Sequence, residues 1–498
     1  MRSRLVRNVR VWRREARPTL ALALPIMAGM VGQMLMGLAD TIMVGHVGVV
    51  PLAAAAFVSA VAHLPLVFGI GLLSSISVLT AQAFGARRPD EAGETLRHGL
   101  IVSAAMGLLA ALSVLALQPF LNLLGQPPDV VEASRAFLRL FGWSLLPALV
   151  GHGCKQFSEA LNHPWVPMFV LLGGVLLNVL LNWVLIFGNW GAPALGLEGA
   201  GWATLAARTI MAVVMIGFVL HASALRAFQP GRWLAALRRE KFRRLVELGW
   251  PVASQHFFEI SAFAFAAIMM GWIGADSIAA HQIAITCAAL TFMFGLGIGT
   301  AVCIRVGHAY GAGQFGRMRR IGFGGIGLGA GIMSLFGIVM MVAGEPIAAV
   351  FVASPTVVAL TAKLLIVAAV FQIADGIQVV SISALRGLGD VRVPALIAVL
   401  AYWVLAVPLG AALAFPGKHG AVGMWIGLAS GLGAAACGLS WRFHLQTGIA
   451  AAALRNANLN PPFIPAPTQI ADRAGGDEPG LCGCHQGVRD KQNGRGSV

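Results

Sequence analysis

The chain has 498 residues, 58% of them hydrophobic and only 11% charged, with a formal net charge of +15. Soluble domains carry about 25% charged residues, and a mean hydropathy of +0.79 excludes them in favour of a polytopic membrane protein. The basic residues fall between apolar runs rather than on one patch, so their role is membrane topology rather than nucleic-acid binding.

Arg2, Arg4, Arg7, Arg10, Arg13, Arg14 and Arg17 precede the first apolar run. That run is too long for a signal peptide, and no small-residue cleavage site closes it. It is predicted to be an uncleaved first span with a cytoplasmic basic segment, residues 1–18, before it. Windows of spanning length follow near 19–45, 52–80, 98–122, 134–157, 164–188 and 198–222. A second set lies near 245–272, 277–304, 321–344, 358–384, 391–415 and 419–442. The sequence therefore predicts an all-α fold of about twelve transmembrane helices. The predicted lobes are 19–222 and 245–443, joined by a basic linker at 223–244 and followed by a polar tail at 444–498. PPFIPAP at 461–467 marks that tail as an expected disordered segment.

Arg87, Arg88 and Arg97 follow the second span, Arg226 to Arg244 the sixth, and Arg317, Arg319 and Arg320 the eighth. Alternate loops are poor in Lys and Arg, apart from Lys418, Arg135 and Arg139. This asymmetry puts both termini in the cytoplasm, and the expected location is a bacterial inner membrane.

The two halves repeat each other. Residues 42–86 lie on 268–312 without a gap, at a shift of 226 (268 − 42). IMVG faces IMMG, FGIG faces FGLG, and QAFGA (Gln82–Ala86) faces HAYGA (His308–Ala312). The same shift carries Pro25 onto Pro251 and Gln33 onto Glu259. Six spans per half keep the orientation, so the six-helix bundles are related by a pseudo-two-fold axis along the membrane normal, with a substrate site between them. Pro25 and Pro251 each lie a few residues into a span, where a missing backbone hydrogen bond makes a hinge.

Few acids occur deep in the apolar runs. Glu259 sits roughly 22 Å of helix from Arg244, and Asp375 roughly 18 Å from Lys363 and roughly 16 Å from Arg386. In a hydrocarbon layer about 30 Å thick both are well inside the membrane, where an ionised acid costs on the order of 3 kcal/mol and marks a functional site. Their hard oxygens suit Na⁺ or a proton. Asp40 lies toward the outer end of the first span. Asn178 and Asn182 share a helical face, either lining a polar cavity with Asp40 or joining helices. Enzyme motifs are missing: no GxxxxGK[ST], no HExxH and no GxSxG elbow with a triad. Cys154, Cys287, Cys303 and Cys437 lie in apolar segments, and Cys482, Cys484 and His485 are too few for a metal site.

At MGLADTIMVGHVG, FFEISAFAFAAIMMGWIG, AAHQIAI and IRVGHAYGAG the chain resembles the multidrug and toxic compound extrusion (MATE) family. FQIADGIQVVSISALRGLGD and YWVLAVPLG extend the match over nearly all of residues 18–445, closest to the NorM-like bacterial branch. The resemblance implies two six-helix bundles in a V and export of amphipathic organic cations against inward Na⁺ or H⁺, with no cofactor and a monomer as the working unit. It assigns Glu259 and Asp375 as cation-site carboxylates, with Na⁺ as the metal ion they would hold, and Asp40 as the N-lobe acid. Asp40, Gln33, Asn178, Asn182 and Phe371 then belong with the substrate cavity. Phe371 stands where the family often has tyrosine. The lost hydroxyl narrows the preference for Na⁺ over H⁺, and Phe371→Tyr is expected to raise Na⁺ affinity. The competing readings are a lipid-linked oligosaccharide flippase of the same superfamily and a non-transporting membrane scaffold.

Overall fold

A computed structural model describes residues 2–233 and 235–456. Of these, residues 2–233 and 235–451 belong to one compact unit. The expected disordered tail beyond 456, with Cys482, Cys484 and His485, lies outside the described residues. No strand occurs among the described residues.

The N-terminal half comprises α1 (Arg2–Gly45), α2 (Val49–Gly85), α3 (Pro89–Leu115), α4 (Pro128–Ala160), α5 (Trp165–Phe187) and α6 (Leu197–His221). The C-terminal half comprises α7 (Arg239–Ile273), α8 (Ala275–Gly311), α9 (Phe315–Val342), the short α10 (Gly344–Phe351), α11 (Pro355–Gly387), α12 (Arg392–Val399), α13 (Val407–Ala414) and α14 (Gly420–Asn456). A π-helical stretch, Leu400–Ala406, joins α12 to α13, so the three make one span. Among the described residues, eleven helices are long and apolar enough to cross a membrane. The twelfth span is α4, whose charges dilute its hydropathy. Lys155 and Glu159 inside it are a turn apart and form a 2.9 Å ion pair with side chains only 10% and 1% exposed. Outward-facing residues such as Leu24, Phe169, Trp272 and Val404 are large and apolar, as a lipid-facing surface requires.

Helical structure reaches beyond two of the expected apolar windows. Helix α1 begins at Arg2, so the basic segment is helical and runs into the first span, whose apolar stretch starts at Glu15. Helix α7 begins at Arg239, inside the predicted linker. Arg, Lys and Glu are good helix formers and need no apolar face to extend a helix already nucleated. What remains of the linker folds back on the N-terminal half. Arg97 donates to the carbonyls of Arg232 and Ala236 at 3.0 and 3.1 Å, and the Arg238 amide donates to His98 Nε2 at 3.1 Å. Pro25 and Pro251 both lie inside uninterrupted helices.

Three apolar cores hold the molecule. One gathers α2, α3, α4 and α6, and a second gathers α7, α8, α11 and α14. The third joins the halves: Leu22, Ala23, Ile26 and Met27 of α1 pack with Ile298, Val302 and Val380 of the C-terminal half. Reciprocally, Leu245 and Ala253 of α7 join the core of the N-terminal half. Each half lends its first helix to the other.

The repeat shift reappears at this seam as contacts. A Cβ at Gly71 would meet Ala253, and one at Gly297, 226 positions on, would meet Met27, which is 226 positions before Ala253. A Cβ at Gly85 would run into the His308 carbonyl, and one at Gly311 into the Gln82 carbonyl. Polar ties follow the same symmetry. Gln82 Nε2 donates to the Gly387 carbonyl at the end of α11 at 3.0 Å, and His308 Nε2 donates to the Ala160 carbonyl at the end of α4 at 2.7 Å. These contacts close the halves together at the end carrying the basic α2–α3 and α8–α9 loops. Arg305 of α8 adds a 2.6 Å ion pair to Glu15 of α1 and a hydrogen bond to Thr19.

Candidate functional site

Two polar centres lie at depth, one in each half. In the C-terminal half, Glu259 projects from α7 with its side chain 14% exposed. Tyr402 Oη donates to Glu259 Oε1 at 2.9 Å, and His256 Nδ1 lies 3.8 Å from Oε2. Asp375, on α11, is 5% exposed and within coulombic reach of Glu259. Gln372, one turn before it, donates to Thr291 Oγ1 at 2.5 Å and so ties α11 to α8. On the basic-end side, Arg386 donates to Gln255 Oε1 at 2.7 Å and also lies within coulombic reach of Glu259.

The π-helical stretch positions Tyr402. Pro408 cannot donate to the Val404 carbonyl four residues back, so the α-helical ladder is interrupted there. The widened turn presents Tyr402 to Glu259, while Trp403 Nε1 donates to the Phe258 carbonyl at 3.0 Å. Such single-turn π segments recur at functional sites. The arrangement brings a hydroxyl onto one carboxylate with a second carboxylate nearby, groups able to contribute oxygens to a monovalent cation or to hold a proton.

In the N-terminal half, Asn182 Nδ2 donates to Asp40 Oδ1 at 2.5 Å and also approaches Asn178 Oδ1 at 3.3 Å. Both asparagines are fully buried. Asp40 and Gln33 line a cavity of about 300 Å³ between α1, α2, α4, α5 and α6, together with Arg208, Lys155, Phe141 and Met215.

Three expected cavity residues are therefore elsewhere. Asn178 and Asn182 stand behind Asp40, joining α5 to α1, and do not line the cavity. Phe371 is 3% exposed in the C-terminal core, with its ring 5.7 Å from Trp425 and 6.2 Å from Phe263. Its apolar ring belongs among those aromatic faces. Sequence reasoning missed Tyr402, although it is one of only two tyrosines in the chain. It also missed Arg208, a basic residue mid-way along an apolar span, because only acids were sought at depth.

The MatE family model matches residues 25–184 and 251–412, one match in each half and again offset by 226 at the start. The chain belongs to the MatE family. It is a membrane transporter rather than an enzyme. Among curated relatives it is 37% identical over 450 residues to the "Probable multidrug resistance protein NorM" of Mesorhizobium japonicum, covering 88% of this chain and 96% of that one. It is 38% identical over 446 residues to the protein of the same name from Rhodopseudomonas palustris, covering 89% and 94%. Among solved structures, the Vibrio cholerae MATE transporter VcmN in its bent form superposes with a TM-score of 0.79 at 21% identity, covering 89% of this chain and 98% of that one. The two-lobed, twelve-helix MatE fold is thus the fold of this chain.

Proposed function

We propose that this MatE protein is a multidrug efflux antiporter. It exports amphipathic organic cations in exchange for inward Na⁺ or H⁺ by alternating access of its two lobes. The names of its NorM relatives point the same way. The observation that carries the reading is the separation of two acidic centres: half-buried Glu259 and buried Asp375 among the C-lobe helices, Asp40 at the wall of an N-lobe cavity. A coupling ion held in one lobe and a substrate held in the other exchange when each favours the lobe arrangement that releases the other, so that ion entry drives substrate out.

Under the positive-inside rule the basic end of the seam is cytoplasmic, as are both termini. Closure there fits an outward-facing state in a bacterial inner membrane. Pro25 and Pro251 are the hinge candidates, and the monomer carries both centres. A flippase for lipid-linked oligosaccharide needs a larger cavity than about 300 Å³, and a scaffold has no use for mid-depth acids. Dye efflux from proteoliposomes under imposed Na⁺ and pH gradients tests the reading. Export that ignores both gradients overturns it.

A further inference from the structure

We infer that the N-lobe cavity is built for a zwitterion: Arg208 is a specificity-determining residue that receives a carboxylate of the transported molecule while Asp40 receives its cationic group. This rests on the transport reading and names a substrate class within it.

Arg208 lies on α6 about 17 Å of helix from Leu197 and about 20 Å from His221, at the middle of the membrane. A guanidinium at that depth is expensive and needs either a counter-ion or a task. Asp40 is within coulombic reach and faces the same cavity, yet the two make no ion pair. The architecture holds them apart. Asn182 takes an Asp40 oxygen at 2.5 Å, while Arg208 Nη1 donates to Ser144 Oγ at 2.8 Å and its guanidinium stacks 4.7 Å over the Phe141 ring. A residue kept only to neutralise Asp40 would close on it instead.

One of five guanidinium donors goes to Ser144, which leaves a planar fork free for a carboxylate. Of the other basic side chains in the lining, Lys155 is already neutralised by Glu159 at 2.9 Å, and His152 Nε2 meets the Gln156 amide at 3.3 Å. The cavity wall therefore presents one unpaired negative group and one unpaired positive group, a dipole rather than an acidic surface. A simple cation at Asp40 is repelled by Arg208. A molecule with opposite charges at its two ends satisfies both.

The test uses a zwitterionic rhodamine bearing a free carboxylate and its cationic methyl ester, which differ only in the charge Arg208 would read. Export of each is measured in proteoliposomes of the full chain. We expect the parent to export both, with Arg208→Gln lowering acid export at least about tenfold while the ester is held or improved. Arg208→Lys, which keeps the charge but not the fork, is expected to fall between. Ester export by the variants shows that they are folded. An acid-to-ester ratio unchanged in both variants, or an equal fall for both dyes, overturns the inference. A parent that exports the ester but not the acid overturns it too, and leaves the transport reading standing. A parent that exports neither dye removes the transport reading itself.

Discussion

Tyr402 Oη hydrogen-bonds Glu259 Oε1 at 2.9 Å across 143 residues of sequence. The position that matches the family tyrosine holds Phe371, buried among aromatic rings. The π-helical stretch between α12 and α13 instead brings a tyrosine hydroxyl to Glu259. Tyr402→Phe is expected to weaken ion dependence of efflux by about tenfold or more, since a hydrogen bond to a charged group contributes about 1.5–3 kcal/mol. Efflux rate against Na⁺ at fixed pH, and against pH at fixed Na⁺, reads the effect. No change along either axis would remove Tyr402 from the ion centre.

Glu259→Gln and Asp375→Asn are each expected to abolish ion-driven efflux without loss of membrane insertion. Asp375 is buried and Glu259 half-buried in one lobe within coulombic reach of each other, and each neutral amide keeps the shape of the acid while removing its charge. Dye efflux from vesicles with matched protein content measures it. Parental rates in both variants would move the ion centre elsewhere.

The twelve spans, the repeat and the placing of Glu259, Asp375 and Asp40 within apolar helices were legible because each is a signal local to the sequence. Apolar runs fix spans, a constant offset fixes the symmetry, and a carboxylate in an apolar run has few innocent explanations. Phe371 was misplaced because sequence spacing puts it one turn from Asp375 but says nothing of which side of α11 faces the aromatic core. Tyr402 was missed because its approach to Glu259 depends on a π-helical turn that apolar periodicity does not encode. Asn178 and Asn182 shared a face as expected, but only the contact with Asp40 distinguishes a tether from a cavity wall.

That tether yields a third prediction. Asn182→Leu leaves Asp40 Oδ1 without its donor and is expected to lower cationic dye affinity several-fold, with little effect on ion dependence. Asp40→Asn is expected to weaken dye binding more than ion binding. Direct dye binding by fluorescence anisotropy, set beside ion-dependent efflux, separates the two. Equal losses in both measurements would end the division of labour between the lobes.

The last prediction concerns the seam. Gly85 and Gly311 occupy equivalent places in the repeat, and each lets a backbone carbonyl of the opposite lobe approach where a Cβ would stand. Backbone cannot retreat as a side-chain tip can, so Gly85→Val and Gly311→Val are each expected to oppose closure at the basic end. The lobes are then biased toward the arrangement open on that side. A single cysteine at Ala86, in a background with the native cysteines replaced, should react faster with a membrane-impermeant thiol reagent applied from the basic side in either variant. Equal bias from both follows from the pseudo-two-fold relation, because Gly85 meets His308 as Gly311 meets Gln82. A gain in reactivity confined to one of the two would show that the halves do not share the closure equally.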